Sequence, residues 1–150
     1  MNAPPHGWPR ITPAVFYNDA STAIDWLCKA FGFDARLKVE GEDGRIEHSE
    51  LVYGDGVIMV AQAGANPRRP EMKYPTSPET VSRANTQSLM LYVDDVQAHC
   101  ARARAAGATI FSEPEVYDYG PDHWADRSYG AVDPEGHHWW FTQRLRNSEP

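Results

Sequence analysis

Tyr17, Asp19 and Gly32 return as Tyr92, Asp94 and Gly107, 75 residues further along the chain. Val52, Asp55 and Gly56 return as Val132, Glu135 and Gly136, with a shift of 80. Self-similar spacing of this kind means that one supersecondary unit is built twice, and nothing else in the sequence restricts the fold as much. The first copy defines the unit. Residues 11–17 are a β-type run with Pro13 near its start, where a strand tolerates proline. Asn18-Asp19 offers an N-cap, and Ile24, Leu27, Cys28 and Phe31 follow at helical spacing before Gly32 ends the helix. Residues 36–40, 45–53 and 57–62 then read as strands joined by glycine-containing turns. The second copy runs through strand 88–93, an N-cap at Asp94-Asp95, and a helix face of Val96, Cys100 and Ala103 ended by Gly107. Strands follow from residue 109, over 126–132 and over 137–143. Inside the helices the match is better at 76, where Ile24 and Leu27 meet Cys100 and Ala103. The predicted fold class is α+β, two tandem β-α-β-β-β modules.

The two copies fit a single domain over residues 10–144. Modules lie at 10–62 and 87–144, a connecting loop at 63–86, and flexible ends at 1–9 and 145–150. A chain of 150 residues is long enough to bury a core without staples. Its net charge of −7 opposes a nucleic-acid partner, which needs a basic face. The longest apolar run, residues 57–61, is too short to span a membrane, so no membrane partner is expected. The first residues lack the apolar stretch of a signal peptide, so a cytoplasmic location is expected. Cys28 and Cys100 fall on the apolar helix faces, where a thiol acts as a small hydrophobe. The 63–86 loop carries Arg68, Arg69, Lys73 and Arg83 on an otherwise acidic chain. It reads either as a solvated linker or as a lid whose basic tip meets an anionic ligand.

Five stretches, doubled and in order, carry a resemblance: Phe16-Tyr17-Asn18-Asp19, Ala30-Phe31-Gly32-Phe33, Val93-Asp94-Asp95-Val96, Ala105-Ala106-Gly107-Ala108 and Asp133-Pro134-Glu135-Gly136-His137. The chain resembles the vicinal oxygen chelate superfamily, the fold of glyoxalase I, extradiol dioxygenases and bleomycin-resistance proteins. The likeness covers about residues 10–144. It is closest to a subgroup with Asp-Arg-x-Tyr-Gly before Asp-Pro-x-Gly-His, here Asp126 to Gly130. It implies a curved mixed sheet around a cavity, a homodimer and, in the enzymes, a metal held at four cavity positions. Those positions map to Pro13 (or Thr12), Val60 (or Met59), Ser88 and Trp140. None is an imidazole, carboxylate or thiolate, so neither a metal nor another cofactor is expected.

Strand alternation assigns the remaining candidates. Pro13, Val15 and Tyr17 are expected to face the cavity from the first module, and Ser88, Met90 and Tyr92 from the second. His138, Trp140 and Thr142 share a face of the last strand, with Trp139 on the helix side. Aromatic walls with few polar groups suit a flat organic molecule. The expected ligand-binding residues are therefore Tyr92, Trp124, Arg127, Tyr129, His138 and Trp140, with Arg127 fixing a carboxylate. Acid–base chemistry, if present, falls to His48, Glu50 and His138; a relocated divalent metal would use those residues or His123, Asp126 and His137. The expected function is metal-independent binding of a planar or amphipathic small molecule, of the bleomycin-resistance type. The alternative is a glyoxalase-type lyase, isomerase or dioxygenase using a relocated metal or a His/Glu pair. A third reading is a binding module with no resistance role.

Overall fold

The computed structural model describes residues 1–148. The chain divides into two compact units, one from Met1 to Ser82 and the other beginning at Arg83. The first unit contains β1 (Ala14–Tyr17), α1 (Ala20–Phe31), β2 (Asp34–Glu40), β3 (Ile46–Tyr53) and β4 (Gly56–Gln62). The second contains β5 (Leu89–Tyr92), α2 (Val96–Ala105), β6 (Thr109–Asp118), β7 (Ala125–Val132) and β8 (His138–Arg146). Each forms a four-stranded mixed sheet, in the order β1-β4-β3-β2 and β5-β8-β7-β6. In each, the first strand runs parallel to the last and the other pairs are antiparallel. The doubled β-α-β-β-β order is the one the sequence repeat predicts.

The helices begin and end for local reasons. Asp19 accepts from the Thr22 N–H at 3.0 Å, and Gly32 closes α1 at φ 82°, a left-handed geometry that costs glycine little. Ile24, Leu27, Ala30 and Phe31 are fully buried beneath α1. The N-cap of α2 is Asp95, which accepts from Ala98 N–H at 3.0 Å. Only Val96, Cys100 and Ala103 are buried along this shorter helix.

The caps correct the register of the repeat. Asp19 corresponds to Asp95, not to Asp94, so β1 and β5 are related by 76 residues. A slip of one turns every side chain of a strand over. Val15 and Tyr17, expected in the cavity, are instead buried on the face that α1 covers, at 6% and 1% exposure. Ala14, paired with Met59, takes the opposite, open face. In β5 the assignment is as expected: Met90 and Tyr92 are about half exposed.

Residues 63–82 fold back onto the first unit. Ala63 donates to the Tyr17 carbonyl, and Gly64 N–H to the Pro75 carbonyl at 2.9 Å, which closes the loop between them. Ser77 is buried and caps a short 3₁₀ turn, Pro78–Val81. Asn18 Nδ2 fastens that turn through Glu79 at 2.9 Å. Toward the ends, Gly7 accepts from Arg36 Nη1 at 2.7 Å, and Leu145 and Arg146 belong to β8. These residues fall within the spans expected to be flexible. Glu149 and Pro150, the last of the expected flexible end, lie outside the described residues. Among the described residues no helix is long and apolar enough to cross a membrane.

Candidate ligand-binding site

The register of the second sheet places its open face. Met90 pairs with Trp140 and Trp140 with Gly130; Tyr92 pairs with Thr142 and Thr142 with Ser128; Arg144 pairs with Asp126. These residues share the side away from α2. Gly130 leaves room there: a Cβ would meet the Phe111 ring where it now lies. That ring lies over the Gly130 backbone, stacks on His138 (centroids 5.0 Å, 29° between planes) and meets Trp140 edge-on at 5.2 Å. The result is a shelf of three rings. Beside it, Ser128 Oγ and Thr142 Oγ1 bond to each other at 2.8 Å.

Arg144 organises the far end of this face. Its Nε donates to Asp126 Oδ1 at 2.6 Å and its Nη2 to the Tyr92 hydroxyl at 2.7 Å. The guanidinium carbon lies 5.4 Å from the Tyr92 ring centroid and 5.7 Å from that of Trp124, within cation–π range. Tyr119 packs against Trp124 at 5.2 Å. Met90, Tyr92, Phe111 and Trp124 are 38–53% exposed, an uncommon concentration of large apolar side chains.

Four of the six expected ligand residues, Tyr92, Trp124, His138 and Trp140, belong to this face or its rim. Two require correction. Tyr129 lies on the other side of β7, fully buried, its hydroxyl 2.6 Å from His99 Nδ1 of α2 and its ring stacked on Phe141 at 5.1 Å. Arg127 has the parity of Tyr129 and pairs with Gln143, whose Oε1 accepts from the first N–H of α2. It forms no ion pair among the described residues, and Arg144 holds the carboxylate instead. Arg144 and Phe111 belong to this face without being among the expected residues. Arg144 lies two positions past Thr142 and so on the same face, a signal that alternation carried. Phe111 lies in the irregular pairing between Ile110 and Ser112, where alternation fails.

In the first unit, His48 and Glu50 are adjacent on one face, as expected. His48 Nε2 is 3.1 Å from Glu50 Oε1, and Arg36 Nε donates to Glu50 Oε2 at 2.6 Å. Arg36 also lies over the Trp8 ring at 4.7 Å. The His48 hydrogen bond and then Arg36 hold the Glu50 carboxyl below the usual carboxylate range. That is opposite to the raised carboxyl an acid catalyst needs. His138 belongs to the other unit. The lowered carboxyl fixes the sign of a pH dependence. Its contribution to stability is complete above the unfolded carboxylate range and is lost as pH falls through the folded value. Melting temperatures of the native chain and of Glu50→Gln are therefore expected to differ at neutral pH and to converge in acid. A constant gap would remove Glu50 from the account.

The positions implied for a metal do not fit one. Val60 turns to the helix side and is fully buried, leaving Met59 on the open face of β4. Thr12, Pro13 and Met59 in the first unit, and Ser88 and Trp140 in the second, offer no imidazole, carboxylate or thiolate. Nor do three His, Cys, Asp or Glu side chains gather elsewhere among the described residues. Burial raises both thiols, at Cys28 and Cys100, away from the reactive thiolate.

Residues 10–141 match the family model of the Glyoxalase/Bleomycin resistance protein/Dioxygenase superfamily. An uncharacterized protein of Mycobacterium bovis is 35% identical over 140 residues, which cover 92% of this chain and 85% of that protein. Among solved structures, TioX from Micromonospora sp. ML1 aligns with a TM-score of 0.69 at 29% identity, covering 91% of this chain and 99% of its own. TnmS3, an antibiotic binding protein from Streptomyces sp. CB03234, aligns with a TM-score of 0.60 at 22% identity, covering 89% and 93%. At that identity the likeness is one of fold.

Proposed function

Given that this chain belongs to the Glyoxalase/Bleomycin resistance protein/Dioxygenase superfamily, we propose that it binds a planar or amphipathic organic molecule without the help of a metal. The observation that carries this reading is the ring shelf of Phe111, His138 and Trp140, in which Phe111 is exposed and the other two rings are half-buried. Rings already held against one another lose little freedom when a flat ligand stacks on them. Arg144, fixed by Asp126 and Tyr92, sets one polar landmark beside that surface. An acid–base reaction is less well supported, because both Glu50 oxygens are engaged and its carboxyl is lowered. The same reading takes the chain as a homodimer. All seven residues of the edge strand β2 are exposed, Leu37 and Val39 among them, and a bare edge of this kind invites a partner.

Native mass spectrometry with elemental analysis, on protein purified without chelator, tests both statements. The expected result is twice 16.8 kDa and no stoichiometric transition metal. Titration with neutral two- and three-ring aromatic compounds is expected to shift the backbone resonances of residues 111, 130, 138 and 140. Stoichiometric zinc, nickel, manganese or iron would overturn the metal-free reading. Shifts confined to other residues would displace the site.

A further inference from the structure

The loop closed by Gly64 and Pro75 covers a pocket of about 150 Å³ in the first unit. Its apolar lining comes from Phe16, Ile46, Ala61, Met72 and Pro75. Three cations also line it, Arg45, Arg69 and Lys73, against one carboxylate, Glu47. This is a local excess of positive charge on a chain of net charge −7.

Arg45 is the informative residue. Its side chain is only 23% exposed, and its Nε is buried with no hydrogen-bond partner among the described residues. Glu47 Oε1 stands 3.7 Å from that nitrogen, near enough for attraction and too far for a hydrogen bond. The other Glu47 oxygen accepts weakly from Asn66 Nδ2 at 3.4 Å. A buried guanidinium N–H without an acceptor is costly. Arg69 and Lys73 form no ion pair among the described residues; Arg69 Nη1 reaches only the Met72 sulfur, at 3.9 Å. Arg68, by contrast, lines a neighbouring hollow that contains Glu42, Asp43 and Glu47. Arg83 is directed at the Pro134 and Asp133 carbonyls of the second unit. The basic tip of the loop is thus divided, and only Arg69 and Lys73 join Arg45.

We infer that this pocket binds a small apolar carboxylate. The volume limits the apolar body to about one six-membered ring, since a cavity of about 150 Å³ holds benzene. The guanidinium and the lysine select the anion. The neighbouring hollow, which Arg45 and Glu47 also line, has three carboxylates against two cations and does not suit an anion. The site lies wholly in the first unit, whereas the ring shelf belongs to the second.

Benzoate is the probe, followed by amide chemical shifts and calorimetry. It is expected to bind with a Kd of about 1 mM or tighter, shifting residues 45–47, 61–64 and 66–75. Benzamide, the same ring without the charge, is expected to bind at least about tenfold more weakly. Arg45→Met is expected to weaken benzoate about tenfold or more, and Lys73→Met several-fold. Lys73 is exposed, so its variant tests the site even if the Arg45 variant folds poorly. Arg68→Met is expected to leave benzoate binding unchanged. Equal binding of benzoate and benzamide, indifference to Lys73→Met and Arg45→Met, shifts confined to the second unit, or no saturable binding overturns the inference.

Discussion

Asp133→Ala is expected to destabilise the folded chain by about 3–5 kcal/mol. Asp133 is 2% exposed, and its carboxylate accepts at least four hydrogen bonds. Oδ1 takes the N–H groups of Glu135, Gly136 and His137 at 3.0–3.1 Å, and Oδ2 takes the indole N–H of Trp139 at 3.0 Å. One side chain therefore shapes the turn between β7 and β8 and anchors the largest buried residue of the second unit. Alanine leaves four donors without that acceptor, and those around Glu135 and Trp139 are nearly shielded from water. Asp133→Asn separates the two tasks. Its carbonyl oxygen can keep the turn, but its NH₂ then faces the Trp139 N–H, donor against donor. A smaller loss, about 1–3 kcal/mol, is expected. Trp139→Phe in the Asn background should remove that conflict at the expense of packing. Urea denaturation curves measure all three; an alanine variant within about 1 kcal/mol of the native chain would show that the turn holds without its carboxylate.

The same aspartate shows what the sequence makes legible. Asp-Pro-Glu-Gly-His stands out as a turn, and the turn sets which residues of β8 face the helix. Alternation thereby assigns Trp139 and Trp140 to opposite sides, and the structure agrees: Trp139 is 1% exposed and Trp140 lies on the open face. The repeat is equally legible, because an N-cap and a closing glycine are local needs of the backbone. Its exact register is not. From cap to closing glycine α2 is one residue shorter than α1, so a shift that matches the glycines misplaces the first strand by one. Val15 and Tyr17 were misassigned for that reason alone. Tyr129 illustrates a different limit. An aromatic residue with a hydroxyl suits a binding wall and a buried helix contact equally well. Only the alternation along β7, counted from Gly130, separates the two, and His99 supplies the partner that makes burial of the hydroxyl affordable. Arg127 and Arg144 pose the same problem across two strands. Both lie near Asp126 in the sheet, and a cross-strand pairing, invisible to a linear reading, decides that Arg144 is the one that reaches it.

Trp140→Ala is expected to weaken a planar ligand by about thirtyfold, or ~2 kcal/mol, with little change in stability. The contrast with Trp139, whose removal would empty the core, is a direct consequence of alternation along one strand. Loss of affinity at Trp140 alone would not distinguish a ring that touches the ligand from one that merely props its neighbours. Gly130 supplies that distinction. Its backbone is not in the left-handed region, so alanine is sterically allowed by the main chain, yet the added carbon meets the Phe111 ring. Phe111 is 43% exposed and can swing toward solvent. Gly130→Ala should therefore fold, with Phe111 displaced from His138 and Trp140 and the shelf dismantled while all three rings remain in the chain. Affinity is expected to fall about tenfold in Gly130→Ala and by a similar factor in Phe111→Ala, with little further loss in the double variant. Strong coupling of that kind makes the ordered arrangement of rings, beyond their presence, the basis of recognition. Additive losses in the double variant would assign Phe111 and Gly130 separate roles and leave Trp140 to act alone.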